Sequence, residues 1–181
     1  MMLSRIVKLS ALLFMLMPLA AQSGWDPDKE GKMLSDAEQT LKKFKAKDPS
    51  LKRFFDAAEG WAVYPTVGKG GWVVGGAYGE GVVYQQGEVI GFTDVKQVSV
   101  GLQFGGQAYS ELIFFRDVKA LERFKSEKLE FDAQVSAVVA DRGAAANADY
   151  HAGVAIFTLT KGGLMAEASV GGQSFSFSPK K

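Results

Sequence analysis

Apolar positions recur at helical spacing over the first folded stretch of the chain and at strand spacing after it. From Asp28 to Lys47, Met33, Ala37, Leu41 and Phe44 stand four, four and three residues apart, which puts them on one face of a helix. Lys32, Lys42, Lys43, Lys45 and Lys47 crowd the rest of that helix. Asp48-Pro49 ends it and starts another, since Asp48 can cap and Pro49 suits a first helical position. The second helix, Pro49 to Glu59, offers Leu51, Phe54, Phe55 and Ala58 to a core, with Gly60 expected as its C-terminal cap.

Beyond Gly60 the pattern turns to strands. They are expected near 61–65, 71–78, 81–85, 88–92, 97–104 and 107–115, with Gln86-Gly87 as a hairpin tip. Val98, Val100, Leu102 and Phe104 alternate with Ser99, Gly101 and Gln103, the period-two signal of a half-buried strand. A helix with Asp117 near its start runs from Asp117 to Lys128, presenting Val118, Leu121, Phe124 and Lys125 at helical spacing. Strands resume at 132–140, 153–160, 163–170 and 173–178, with Arg142 to Ala152 as a loop and Lys161-Gly162-Gly163 as a turn. Phe104, Phe114, Phe115, Phe124, Phe131 and Phe157 fall on inward phases, and Trp61 and Trp72 are expected in the core. Trp25 is expected to be flexible or interfacial.

Residues 60 to 106 hold 13 of the chain's 21 glycines. Glycine weakens a strand interior, so this density implies sharp bends or close backbone approaches, with Gly75 and Gly76 among the expected positions. The resulting fold class is α+β: N-terminal helices, a curved, mostly antiparallel glycine-rich sheet forming a barrel or closed sandwich, and one further helix. A phosphate-cradling loop does not fit the run, because no Lys-Ser or Lys-Thr follows a glycine at Walker spacing.

The segment AVYPTVGKGGWVVGGAYGEGVVY (Ala62 to Tyr84) resembles the core signature of the SYLF domain, also called the Ysc84 actin-binding domain. The resemblance continues through VSVGLQFGGQAYSELIFF (Val98 to Phe115), the ALERF helix (Ala120 to Phe124) and GVAIFTLTKGGLMAEASVGG (Gly153 to Gly172). It runs in order from about Ala57 onward. Two segments depart from the family pattern. Ala140-Asp141-Arg142-Gly143-Ala144 replaces a Gly-Pro-Leu-Gly-Arg stretch, and Phe177-Ser178-Pro179-Lys180-Lys181 replaces a Tyr-Tyr-Gly ending.

The N-terminus has the form of a secretory signal peptide. Arg5 and Lys8 precede an apolar stretch from Leu9 to Leu19, and Leu19-Ala20-Ala21 offers a cleavage site before Gln22. The apolar stretch falls short of the roughly 20 residues of a membrane span, and the chain has no lipoprotein cysteine. The expected division is therefore 1–21 signal peptide and 22–181 a single domain, with helices in 28–59 and a β-rich core in 60–178. Its expected location is the periplasm or the extracellular medium. Cleavage removes Arg5 and Lys8 and no acidic residue, leaving nineteen basic side chains against twenty acidic ones, a formal charge of −1. That balance argues against nucleic acid as a partner.

Catalytic chemistry finds no foothold. His151 is the single histidine, beside Asp149 and Tyr150 in a loop, and no serine has a nucleophile-elbow context. The absence of cysteine removes thiol catalysis and thiolate metal sites. Asp26, Asp28 and Glu30 lack EF-hand spacing. Glu127 and Glu130 read as solvated surface. No catalytic residue, metal ligand or cofactor is expected, and a small hydrolase in the barrel mouth is without support.

The resemblance implies a non-enzymatic module that recognises anionic membrane lipid, phosphoinositides in eukaryotic members, through a basic amphipathic N-terminal helix. The lysine density around Lys42 to Lys47 points the same way independently. The candidate lipid-binding surface is Lys42, Lys43, Lys45, Lys47, Lys52, Arg53 and Lys69, the last at the family's Lys-Gly-Gly position. The competing reading is a protein-interaction module. Eukaryotic relatives are known for actin association, and an envelope or host protein would take actin's place here.

Overall fold

The computed structural model describes residues 27–71, 74–100, 107–127, 136–161, 168–169 and 172–180. The leader at 1–21, Trp25, Asp26, Trp72, Leu102, Phe104, Glu130, Phe131, residues 132–135 of the expected strand 132–140, and residues 163–167 and 170 of the expected strand 163–170 lie outside these residues. Helix α1 (Pro27–Lys47) leads through a single 3-10 turn (Pro49–Leu51) into α2 (Lys52–Ala57). Strands β1 (Gly60–Gly71), β2 (Val74–Gln85) and β3 (Glu88–Val100) form a meander, and β4 (Gln107–Phe115) returns to pair with β1 on its other side. Helix α3 (Val118–Lys125) precedes β5 (Ser136–Val139), β6 (Val154–Thr160), β7 (Ala168–Ser169) and β8 (Gln173–Pro179). The sheet order is β7-β5-β6-β4-β1-β2-β3-β8, antiparallel except where β5 runs parallel to β6.

The expected α+β class is observed, with fewer and longer strands. The segment at 71–78, from Val74 onward, and that at 81–85 form one strand, as do those at 88–92 and 97–104 as far as Val100, while Gly71 ends β1. Glycine allows this continuity. β1 carries a bulge between Val63 and Thr66, where Pro65 needs no ladder donor. Gly81 lies beneath it: a Cβ there would stand 2.6 Å from the Val63 carbonyl oxygen and 2.7 Å from the Tyr64 ring. Gly60 does not cap α2. It opens β1, paired with Gln85 and Phe115, while Ala58 closes the helix in extended conformation. Gln86 and Gly87 are the hairpin tip, both with positive φ. Asp117 caps α3 by accepting from the Ala120 N–H at 2.9 Å, and Val118 is exposed rather than inward.

The sheet curls tightly. β8 stands four places from β4, roughly 19 Å away in a flat sheet. Yet the Gln173 amide on β8 donates to Glu111 Oε2 on β4 at 2.9 Å, and the Tyr64 and Phe175 rings approach to 6.2 Å between centroids. The expected closure is not observed. Among the described residues β7 and β8, the two ends of the strand order, do not pair, so the sheet is open.

Both faces of the sheet are buried. The concave face packs Ala62, Tyr64, Ile113, Phe115, Ile156 and Phe175 with Leu121 and Phe124 of α3. The convex face packs Val63, Val82, Leu112, Phe114 and Phe157 against Ala37 and Phe44 of α1 and Leu51 and Phe54 around α2. Trp61 belongs to this second layer, stacked on Tyr84 and edge-on to Phe55.

Crowding distinguishes the glycines. Gly81→Val is expected to cost about 1–3 kcal/mol or more through overpacking at the bulge. Gly76 is exposed, and a Cβ there would meet only the Gln97 carbonyl oxygen, at 3.4 Å. Gly76→Val is therefore expected to change stability by no more than about 0.5 kcal/mol, contrary to the bend inferred from glycine density. Thermal melts of the two variants check this, and equal destabilisation would contradict it.

Candidate binding surface

The lysine-bearing helix is fixed to the body of the protein at both ends. Near its start, Lys29 pairs with Glu80 of β2 at 2.9 Å. At its end, Asp48 is wholly buried and accepts from four donors: the Ser50 N–H at 3.0 Å, the Ser50 hydroxyl at 2.6 Å, the Gly143 N–H at 3.0 Å and the Ala145 N–H at 2.7 Å. Burial alone would raise the Asp48 pKa, but these hydrogen bonds hold it below the ordinary carboxylate range. Arg53 reinforces the joint, donating to the carbonyls of Ala145 and Ala148 and lying over the Phe54 ring. The segment Ala140 to Ala144, which departs from the family pattern, is thus part of the mount for the helices.

With the apolar side of α1 spent on the sheet, its lysines are turned outward. Lys42, Lys43, Lys45 and Lys47 are all exposed, and no acidic residue interrupts 42–47. Lys42 and Lys43 make no ion pair among the described residues. Lys47 pairs with Asp141 at 3.0 Å. Lys45 lies on the opposite flank, its Nζ 4.2 Å from the centre of the Phe55 ring. The other predicted residues are deployed differently. Lys52 pairs with Asp56 on its own helix at 2.6 Å, and the Arg53 guanidinium is turned to the loop carbonyls. Lys69 sits on β1 between Ala77 and Gln107, and its side chain lies outside the described set.

Sequence reading missed Lys161, which lies next to this surface. It sits in the turn after β6, and its Nζ donates to Thr66 Oγ1 at 2.6 Å. Partial burial and then repulsion from Lys43 lower its pKa, with Asp36 opposing and Lys32 adding. Its turn was legible, but its neighbours depend on β6 lying two strands from β1 beneath α1. A cavity of about 350 Å³ lies between the first turns of α1 and the β1–β2 pair, lined by Lys29, Lys32, Asp36, Thr66, Tyr78 and Glu80 among others. Its charges are mixed and largely paired with one another.

Other candidate chemistry is dispersed. His151 is exposed and bridges to Val154. Among the described residues no three His, Asp or Glu side chains converge as metal ligands. Glu111, which the sequence did not single out, is a fully buried carboxyl inside the curled sheet.

Comparison with known proteins adds a family and a relative. A family model described as "Ysc84: Las17-binding protein actin regulator" matches residues 96–180. Beta cell expansion factor A of Aeromonas veronii is 28% identical over 141 residues, covering 77% of this chain and 53% of that protein. The chain thus spans about half the length of this curated relative. The family match begins within β3, so α1 lies outside it.

Asp48→Ala is expected to destabilise the protein by about 1–3 kcal/mol, because it leaves the Gly143 and Ala145 N–H groups without their buried acceptor. A depressed carboxyl pKa contributes stability that is present above its unfolded value and lost as pH falls through its folded value. Wild type should therefore lose this contribution below about pH 4, whereas Asp48→Ala should lack it at every pH. Denaturant melts from pH 2.5 to 7 check this, and a variant as stable as wild type at pH 7 would contradict it.

Proposed function

We propose that this chain, whose residues 96–180 match the model of the Ysc84 (SYLF) family of binding modules, docks on anionic phospholipid surfaces through α1 without catalysing a reaction. The observation that carries the reading is the exposed lysine run 42–47 on a helix whose apolar side is already packed against the sheet. Such a helix has charge to offer and little apolar surface, so attachment is electrostatic, at about 1 kcal/mol per lysine near an anionic surface. Lys42 and Lys43 contribute most, since neither gives up an ion pair. Lys161 extends the same basic flank. A leader cleaved after Ala21 would place this surface in the periplasm or outside the cell, facing envelope or host membrane.

A protein partner is the second reading. It is favoured by the family's description, which names Las17 binding and actin regulation. An acidic protein surface would meet the same lysines, and vesicles separate the two readings.

Changing Lys42, Lys43, Lys45 and Lys47 together to Gln is expected to weaken co-sedimentation with anionic vesicles at least tenfold, consistent with about 1 kcal/mol per lysine. The thermal melt should stay within a few degrees of wild type. Equal binding of wild type to neutral vesicles, or unchanged binding of the fourfold variant, would remove the lipid role from α1 and leave the protein-partner reading in front.

A further inference from the structure

Inside the curled sheet a carboxyl is buried where the surface reading has no use for it. Glu111 has no solvent exposure. Its Oε2 accepts from Gln173 Nε2 at 2.9 Å, and its Oε1 has no hydrogen-bond partner among the described residues. Directly opposite on β6 stands Thr158, also fully buried, whose hydroxyl makes no hydrogen bond among the described residues. The Gln173 contact joins β8 to β4 across the concave face, so it holds the curl rather than a neighbouring ladder. The titratable groups facing Glu111 are tyrosines: Tyr64 on β1, hydrogen-bonded to Thr93 of β3 at 2.9 Å, and Tyr109 on β4, whose hydroxyl is 3.4 Å from Gln173 Nε2. β6 and β8 present neutral Thr158 and Gln173. No lysine, arginine or histidine among the described residues compensates a charge there.

We propose that Glu111 is a protonation-controlled latch: as the neutral acid it allows β8 to close across the concave face onto β4, and as the carboxylate it drives the β3–β8 pair away from β4 to admit water. Geometry supplies the two halves of the argument. A carboxylate with one amide hydrogen bond, a nearby tyrosine hydroxyl and no countercharge among the described residues is costly to bury, and that amide hydrogen bond is the one that spans the curl. Burial outweighs Gln173 and the nearby Tyr109 hydroxyl, which favour the charged form, and pushes the Glu111 pKa up to about 7. The sign follows from linkage. The closed form binds the proton more tightly than an open form with an ordinary carboxyl near 4.5. Closure is thus fully supported below that value and loses support as pH rises to about 7. From well below pH 4.5 to well above pH 7 the balance moves toward opening by roughly 300-fold in all. The inference is independent of what α1 binds.

The chain has no cysteine, so Lys161→Cys and Ser174→Cys, both at exposed positions, give two unique labelling sites for a spin-label distance between the β6 turn and β8. The expected result is one short distance at pH 5 and a longer or broadened distribution at pH 8. Glu111→Gln should retain the short distance at both pH values. Carboxyl carbon NMR of the unlabelled full chain should place Glu111 near 7, and Gln173→Met, which removes a donor favouring the charge, should move that midpoint higher. A Glu111 midpoint in the ordinary carboxylate range, or the same pH response in Glu111→Gln, would overturn the latch, as would a distance that does not change with pH. If Glu111→Gln fails to fold, the wild-type titration and distance decide the question.

Discussion

Strands β4 and β6 have no solvent face to give. Leu112, Ile113, Phe114 and Phe115 are consecutive and all fully buried, as are nearly all the side chains from Val154 to Thr158. A sheet built on such strands needs cover on both sides. The concave side obtains it by curling and from α3, and the convex side from α1 and α2. The outward placement of the α1 lysines follows from this. Because Ala37, Leu41 and Phe44 are required as cover, the helix turns Lys42, Lys43, Lys45 and Lys47 outward, and the amphipathic helix becomes a charged ridge.

Curling has a second consequence. It brings side chains of β8 against those of β4 and encloses polar groups that a flatter sheet would leave wet. Glu111, Gln173 and Thr158 are buried there with oxygens that find no hydrogen bond among the described residues. A binding module can tolerate such a site, but it makes the curl depend on solution conditions in a way an all-apolar core would not.

Much of this was legible in the sequence. The i, i+4 spacing of Met33, Ala37 and Leu41, the capping pairs Asp48-Pro49 and Asp117-Val118, and the Gln86-Gly87 tip act locally, and all are found where expected. Strand lengths were harder to read, because Gly79 and Gly81 look like breaks in one dimension. In three dimensions they are spaces left beneath the β1 bulge. The destination of Arg53, the neighbours of Lys161 and the burial of Glu111 depend on pairings across 50 or more residues, which no local pattern encodes. Glu111 is hidden most thoroughly, since a charged residue within Ser110-Glu111-Leu112 reads as the polar phase of a half-exposed strand.

The central claim is that α1 acts as a docked, charged ridge and not as an inserting helix. A salt titration of wild-type binding to anionic vesicles tests it most directly, because raising salt from 0.1 M to 1 M shortens the Debye length from about 10 Å to about 3 Å. The account predicts continuous loss of binding with salt and essentially complete release by about 1 M, with the fold intact. Binding that persists at 1 M salt would show that apolar side chains enter the bilayer, and would contradict the placement of α1 on the sheet in the bound state.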